Sequence, residues 1–318
     1  MQRREFLGKT LVGGAALGGV PAAPQDDMNI SEHAEVFLER EQPGQPHKGK
    51  VLAAIQPHAD DIPEYSGGLV LKLIKEGYTG IMIRITNTEC AGRGKTIGEV
   101  IYKNETEHFE LARRLGVPKV FDLYYRNHRL DGESRVEIRD RLIFIFRAMK
   151  VDTIISYDPW SHYEENPDHY VTAQCVEAAC WMAGGGWDFP EHFEVGLRPH
   201  EVQEKYYFAR GPQLVNRVVD ISSVFDQKVY AAMANLTQGE AGEAGRELRA
   251  SLAQQGMKLP ILGDNDDTAD REYIKNFVLY QDATFGKQYG VAYAEPYHYI
   301  GPMVRRVDEY VKQHAVRL

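Results

Sequence analysis

Short apolar runs alternate with longer amphipathic stretches from residue 49 onwards. Residues 51–56 (VLAAIQ), 80–86 (GIMIRIT), 120–125 (VFDLYY) and 151–157 (VDTIISY) are brief apolar runs suited to buried strands. Between and after them, 69–76, 99–115, 135–149 and 170–182 carry apolar residues at helical spacing, the second run stopping at Gly116. This alternation predicts an α/β fold with a mostly parallel sheet covered by helices. Ligands on such sheets sit at the carboxyl ends of the strands.

After the run 184–187 (GGGW) the pattern loosens. Residues 205–209 and 215–219 read as further strands and 224–236 as a helix. The polar stretch 239–270 is either a helical hairpin or an exposed insertion. Helices near 270–280 and over 303–315 close the chain. Upstream, 23–48 is polar, with prolines at 24, 43 and 46, and reads as a linker with a short helix near 35–40. The expected division is a signal at 1–22, the linker 23–48, a catalytic domain 49–238, and a C-terminal extension 239–318 packed on it.

The N-terminus carries Arg3-Arg4, then Phe6-Leu7, a glycine-rich apolar stretch, and Val20-Pro21-Ala22. A basic start, a weak apolar core and a small-residue cleavage site form an export signal, and the arginine pair gives it the twin-arginine character. The expected location is periplasmic or extracellular, reached through the twin-arginine machinery after folding. The apolar run is too short and too rich in glycine for a stable membrane anchor.

The 318 residues contain 37 Lys+Arg against 46 Asp+Glu, a net charge of −9. Phosphate-backbone binding needs a basic excess, so a nucleic-acid partner is not expected. Cys90, Cys175 and Cys180, unevenly spaced, supply neither a closed disulfide set nor a thiolate zinc site; all three are expected as buried free thiols.

The candidate chemistry lies at two strand ends. The first strand runs into His58-Ala59-Asp60-Asp61, followed by Gly67-Gly68. His58 and Asp61, three apart in a tight turn, could face one ion, and imidazole with carboxylate suits zinc better than calcium or magnesium. Asp also suits a helix N-terminus, so capping is a competing use for Asp60 and Asp61. The fourth strand runs into 158–169 (DPWSHYEENPDH), opening on the same edge, where His169 could be a third ligand. Three protein ligands and one open position define a catalytic zinc site.

These motifs resemble the LmbE-like (PIG-L) family of zinc-dependent N-acetylglucosaminyl deacetylases. His58-Ala59-Asp60-Asp61 with Gly67-Gly68 resembles the family's opening motif, and Asn166-Pro167-Asp168-His169 its later one. The loop 86–94, the helix containing Glu107 and Ala112, the run 219–222 with Lys228, and 293–297 resemble further signatures, over roughly 49–300 with 239–270 unmatched. The resemblance implies a Rossmann-like three-layer sandwich, one zinc on His58, Asp61 and His169, and Asp60 as general base. Zinc would acidify a water and polarise the acetamide carbonyl, releasing acetate and an amine. The implied substrate is an amino sugar or glycoconjugate bearing an N-acetyl group; a homo-oligomer is compatible with the chain.

Two departures stand out. Ile62 replaces a common Glu, and Asn166 replaces a His expected to steady an oxyanion or donate a proton. Asn166 can hydrogen-bond an oxyanion but cannot act as an acid, which leaves His162 or a recycled Asp60 for that role. Asp168 is expected to orient a ligand. Arg93 and Asn127 are the substrate-contact candidates by position. The tyrosines 289, 293, 297 and 299 suit core packing more than sugar stacking. The competing readings are an amidase on a non-sugar amide and a metal-containing carbohydrate-binding protein without turnover. A dinucleotide oxidoreductase is disfavoured because no Gly-x-Gly-x-x-Gly follows a strand.

Overall fold

The computed structural model describes residues 36–238, 242–302 and 306–317; the signal read at 1–22 lies outside them. Eight strands form one sheet: β1 (Phe37–Glu39), β2 (Val51–Gln56), β3 (Thr79–Thr86), β4 (Lys119–Tyr125), β5 (Thr153–Tyr157), β6 (Glu204–Phe208), β7 (Arg217–Asp220) and β8 (Ala294–Ile300). The helices are α1 (Asp61–Tyr65), α2 (Gly67–Lys75), α3 (Ile97–Arg114), α4 (Arg135–Met149), α5 (Pro167–Ala183), α6 (Glu191–Glu194), α7 (Phe225–Ala232), α8 (Ala244–Gln254), α9 (Asp266–Tyr273), α10 (Tyr280–Tyr289) and α11 (Arg306–His314).

The sheet order is β1-β7-β8-β6-β5-β2-β3-β4. Every neighbouring pair is parallel except those of β8, which runs antiparallel to β6 and β7. From β2 the chain goes to β3 and β4 on one side, then returns to β5 and β6 on the other. The order therefore reverses between β2 and β5, where a crevice opens outside the carboxyl ends of the strands. Both predicted site loops leave the sheet there.

Side-chain alternation along the central strands builds two cores. Leu52, Ala54 and Met82 face one way, onto Leu69, Val70 and Leu73 of α2 and Val229 of α7. Ala53, Ile55, Ile81 and Ile83 face the other way, onto Ile138, Leu142 and Phe146 of α4 and Val176 and Ala179 of α5. Strands covered on both faces read as continuous apolar runs, which is why the sequence shows them so plainly. This is the three-layer arrangement expected, and each fully buried Ile or Phe contributes roughly 1.5–3 kcal/mol.

Three features differ from the sequence reading. The segment read as a helix near 35–40 within a linker is instead strand β1, paired with β7 at the sheet edge. Its Glu39 is buried against Lys72 and Arg217, so ion pairing across elements overrides local helical preference. The aromatic run 293–299 contains β8, with Tyr297 fully buried and Tyr293 stacked on Phe225, which supports packing as its role. Cys90 is exposed, on the turn after β3, while Cys175 and Cys180 are buried in α5.

The polar stretch after α7 takes the hairpin form: α8 and α9 pack together, with Arg246 donating to the Asp270 carboxylate at 2.6 Å. No helix among the described residues is long and apolar enough to cross a membrane.

The glycine pair after the first motif has a steric cause. A Cβ on Gly68 would lie 2.7 Å from Ile221 and 2.8 Å from the Glu295 carboxylate. That carboxylate accepts from the backbone amides of Gly68 and Leu69, at 2.8 Å each, and so serves as the N-terminal cap of α2. Buried Lys228 joins Glu295 at 2.8 Å and Asp282 at 2.6 Å. The C-terminal strand and α10 thus anchor the helix that follows the site loop.

Candidate metal centre

After β2 the chain turns sharply into α1, and the turn is fixed by its own side chains. The backbone amide of His58 donates to Asp61 Oδ2 at 2.8 Å. Asp60 occupies the N-cap position of α1 yet makes no capping hydrogen bond. Its Oδ1 instead accepts from Gln238 Nε2 at 2.8 Å. The capping alternative for Asp60 therefore fails, and its second oxygen is not spent on the helix.

After β5 the loop leads into α5, which starts on a real cap: Asn166 Oδ1 accepts from the Asp168 amide at 2.9 Å, with Pro167 in the first turn. This start points His169 back to the floor of the crevice. Its Nε2 lies 3.1 Å from His58 Nδ1 and 3.5 Å from Asp61 Oδ1, while His58 Nδ1 lies 3.5 Å from Asp61 Oδ2. All three residues are buried.

Each member of the cluster is oriented from behind. His58 Nε2 donates to Asp168 Oδ2 at 3.0 Å, which leaves Nδ1 as the ligand atom. Glu164 Oε2 stands 3.2 Å from His169 Nδ1, and Tyr157 donates to Asp61 Oδ1 at 2.7 Å while stacking on the His169 ring. Burial opposes the ionised form of Asp168, but bonds from His58, the His128 amide and Asn127 bring its pKa down to about 2. Asp168 Oδ2 accepts three hydrogen bonds, one of them from His58 Nε2, so it orients that imidazole. Asp168→Asn should weaken metal affinity about 10–100-fold, read by zinc titration against a competing chelator; unchanged affinity would remove Asp168 from that role.

The donor set fits a divalent ion. Two imidazole nitrogens and a carboxylate converge within 4.8 Å of one another, a borderline-soft set suited to zinc. Against the effect of burial, Asp168 and Asp61 hold the His58 imidazole up at about 10. The anionic groups thus demand positive charge at the centre. Burial and then the adjacent Asp61 carboxylate push Asp60 up to about 6.

The cleft above the cluster has a volume of about 180 Å³ and is lined by His58, Asp60, Asp61, Asn166 and His169, with Asn127 and His128 at one side. His162 and Arg93 do not line it. His162 is exposed, its amide bonded to the Pro212 carbonyl, and does not line the cleft. Arg93 is at the surface, paired with Glu247 of α8. Asn127 lines the cleft from a buried position, donating to Asp168 Oδ2 at 2.9 Å and accepting from the Cys90 amide at 3.0 Å, so it also holds Asp168.

Among the lining residues outside the expected set are Arg210, Glu64 and Gln238. Arg210 lines the cleft and pairs with Glu164 at 2.5 Å; its place just after β6 was the signal that could have found it. Glu64 lines the cleft from α1, and burial followed by the Asp60 charge lifts it to about 7. Gln238 and its neighbour Asn235, which donates to the Ala59 carbonyl at 3.1 Å, grip the His58–Asp61 turn from the segment after α7. No motif marks that segment.

The PIG-L family model, described as GlcNAc-PI de-N-acetylase, matches residues 53–180. The chain is similar to diacetylchitobiose deacetylase of Thermococcus kodakarensis, 28% identical over 195 residues, covering 59% of this chain and 70% of the relative. Among solved structures, N,N'-diacetylchitobiose deacetylase of Pyrococcus horikoshii superposes with a TM-score of 0.62 at 24% identity, covering 79% of this chain and 84% of that one. The 4-carboxy-2-hydroxymuconate hydratase GalB of Pseudomonas putida gives 0.58 at 18% identity, over 81% and 98%. The same fold thus carries different chemistries, and the site decides between them. The segment that matches the family model contains all three members of the cluster, His58, Asp61 and His169.

Proposed function

We propose that the protein is a zinc-dependent hydrolase that removes an N-acetyl group from an amino sugar or glycoconjugate. The observation that carries this reading is the convergence of His58, Asp61 and His169 beside a carboxylate, Asp60, that neither joins the cluster nor caps its helix. An ion held by His58, Asp61 and His169 would supply Lewis acidity toward the acetamide carbonyl.

The chain supplies the proton handling. Asp60, oriented through Oδ1 by Gln238, takes the proton of the attacking water and returns it to the departing amine. His162 lies outside the cleft, so the same carboxyl serves as base and then acid. A carboxyl lifted toward neutrality suits both tasks. Asn166 Oδ1 is committed to the helix cap, which leaves its Nδ2 as a donor for the oxyanion. Export through the twin-arginine signal at 1–22 is part of this proposal.

Acetate release should be screened over N-acetylglucosamine, N,N'-diacetylchitobiose, peptidoglycan fragments and acetylated peptides with zinc added. The expected result is about one zinc per chain and acetate from the amino sugars, abolished by a chelator. Release from acetylated peptides alone would establish the non-sugar amidase instead, and zinc binding with no release from any substrate would favour the binding protein.

A further inference from the structure

Beside the metal cleft lies a larger cavity of about 320 Å³, within the size range of small-molecule sites. The two share Asp60, Glu64 and Gln238 as a common wall. Sharing three lining residues makes the two cavities neighbours. Its far wall comes from residues 277–281, outside the segment 53–180 that matches the family.

The lining chemistry is selective. Phe277 and Tyr280 remain 44% and 54% exposed there, while Asn235, Gln238 and Gln281 supply amide donors and acceptors. Aromatic faces framed by amides and carboxylates suit a ring with apolar faces and a hydroxylated edge. Phe277 and Val278 come from a π-helical turn over Ile274–Val278, an irregularity frequent at functional sites. Among the described residues no Lys, Arg or His lines this cavity, whereas Asp60 and Glu64 do. The nearby Lys228 is fully buried and paired with Asp282 and Glu295. The Asp282 carboxylate also occupies the first turn of α10, the end of that helix that would otherwise attract an anion.

We propose that this cavity binds the sugar ring adjoining the acetamido sugar, accepting neutral or amine-bearing rings and rejecting anionic ones. The assignment rests on the deacetylase reading of the neighbouring cleft. It makes Phe277 and Tyr280 specificity determinants from a part of the chain where no site motif lies.

The test compares the zinc-loaded full chain with Phe277→Ala and Tyr280→Ala, each checked for an unchanged melting temperature. Acetate release is measured on N-acetylglucosamine, N,N'-diacetylchitobiose and N-acetylglucosamine 1-phosphate, and the binding of chitobiose is measured by calorimetry. Each variant should lose about tenfold in kcat/KM on the disaccharide, the size of one aromatic contact, and change less than about twofold on the monosaccharide. The 1-phosphate should be the poorest substrate. Equal losses on both sugars, wild-type behaviour on the disaccharide, or preference for the 1-phosphate would each overturn the assignment. Should no sugar release acetate while chitobiose still binds, about tenfold more weakly in Tyr280→Ala, the deacetylase reading falls and the ring site stands. Absence of both release and binding removes both.

Discussion

Asp60→Asn should lower kcat by on the order of 10²–10⁴, the usual contribution of a positioned general base, while zinc stays bound at full stoichiometry. The expectation follows from the geometry of the turn. Asp60 lies beside the cluster but is absent from it, whereas Asp61 bridges the two histidines. Its side chain is held through Oδ1 by Gln238, a bond that the amide oxygen of Asn can also accept. An amide of the same shape keeps the fold and cannot accept the proton. KM should change little, since the substrate's anchoring groups are untouched. Full activity in this variant would sink the mechanism; loss of zinc would make Asp60 a ligand. Gln238→Ala provides a graded comparison, because it leaves the carboxylate present but unheld.

The contrast between Asp60 and Gln238 shows which parts of the site were legible. The His58–Asp61 turn and His169 could be read because both follow short, doubly covered strands whose buried faces leave unbroken apolar runs. The helix cap at Asn166 was written in the same letters as a catalytic motif, and the structure shows it serving as a cap. Strands β1 and β8 were hidden for the opposite reason. Glu39 and Glu295 are buried charges paired across the fold, with Lys72 and Lys228, so their strands look polar in sequence. The grip of Asn235 and Gln238 on the turn depends on α7 packing against α1 and α2, a tertiary fact with no local pattern. Arg93 shows the limit of position alone: its loop reaches the cleft through Ala91, but the guanidinium turns away to Glu247.

The largest effect on the metal should come from His169→Ala. Removing one of three protein ligands leaves His58 and Asp61, and the variant should purify without stoichiometric zinc and without turnover. Its fold should survive. Glu164, which faces the imidazole, keeps Arg210 as a partner at 2.5 Å and the Asn166 amide at 2.9 Å, so no buried carboxylate is stranded. The lost stacking against Tyr157 costs roughly 0.5–1.5 kcal/mol. The linkage between metal and stability separates this reading from a merely damaged site. An ion that binds only the folded chain stabilises it by about 4 kcal/mol when free zinc exceeds Kd a thousandfold. Added zinc should therefore raise the melting temperature of the wild type, a chelator should lower it, and His169→Ala should respond to neither. Asp60→Asn, whose cluster is intact, should respond as the wild type does. Retained stoichiometric zinc in His169→Ala would remove His169 from the ligand set, and a zinc-dependent melting shift in that variant would place the ion elsewhere in the chain.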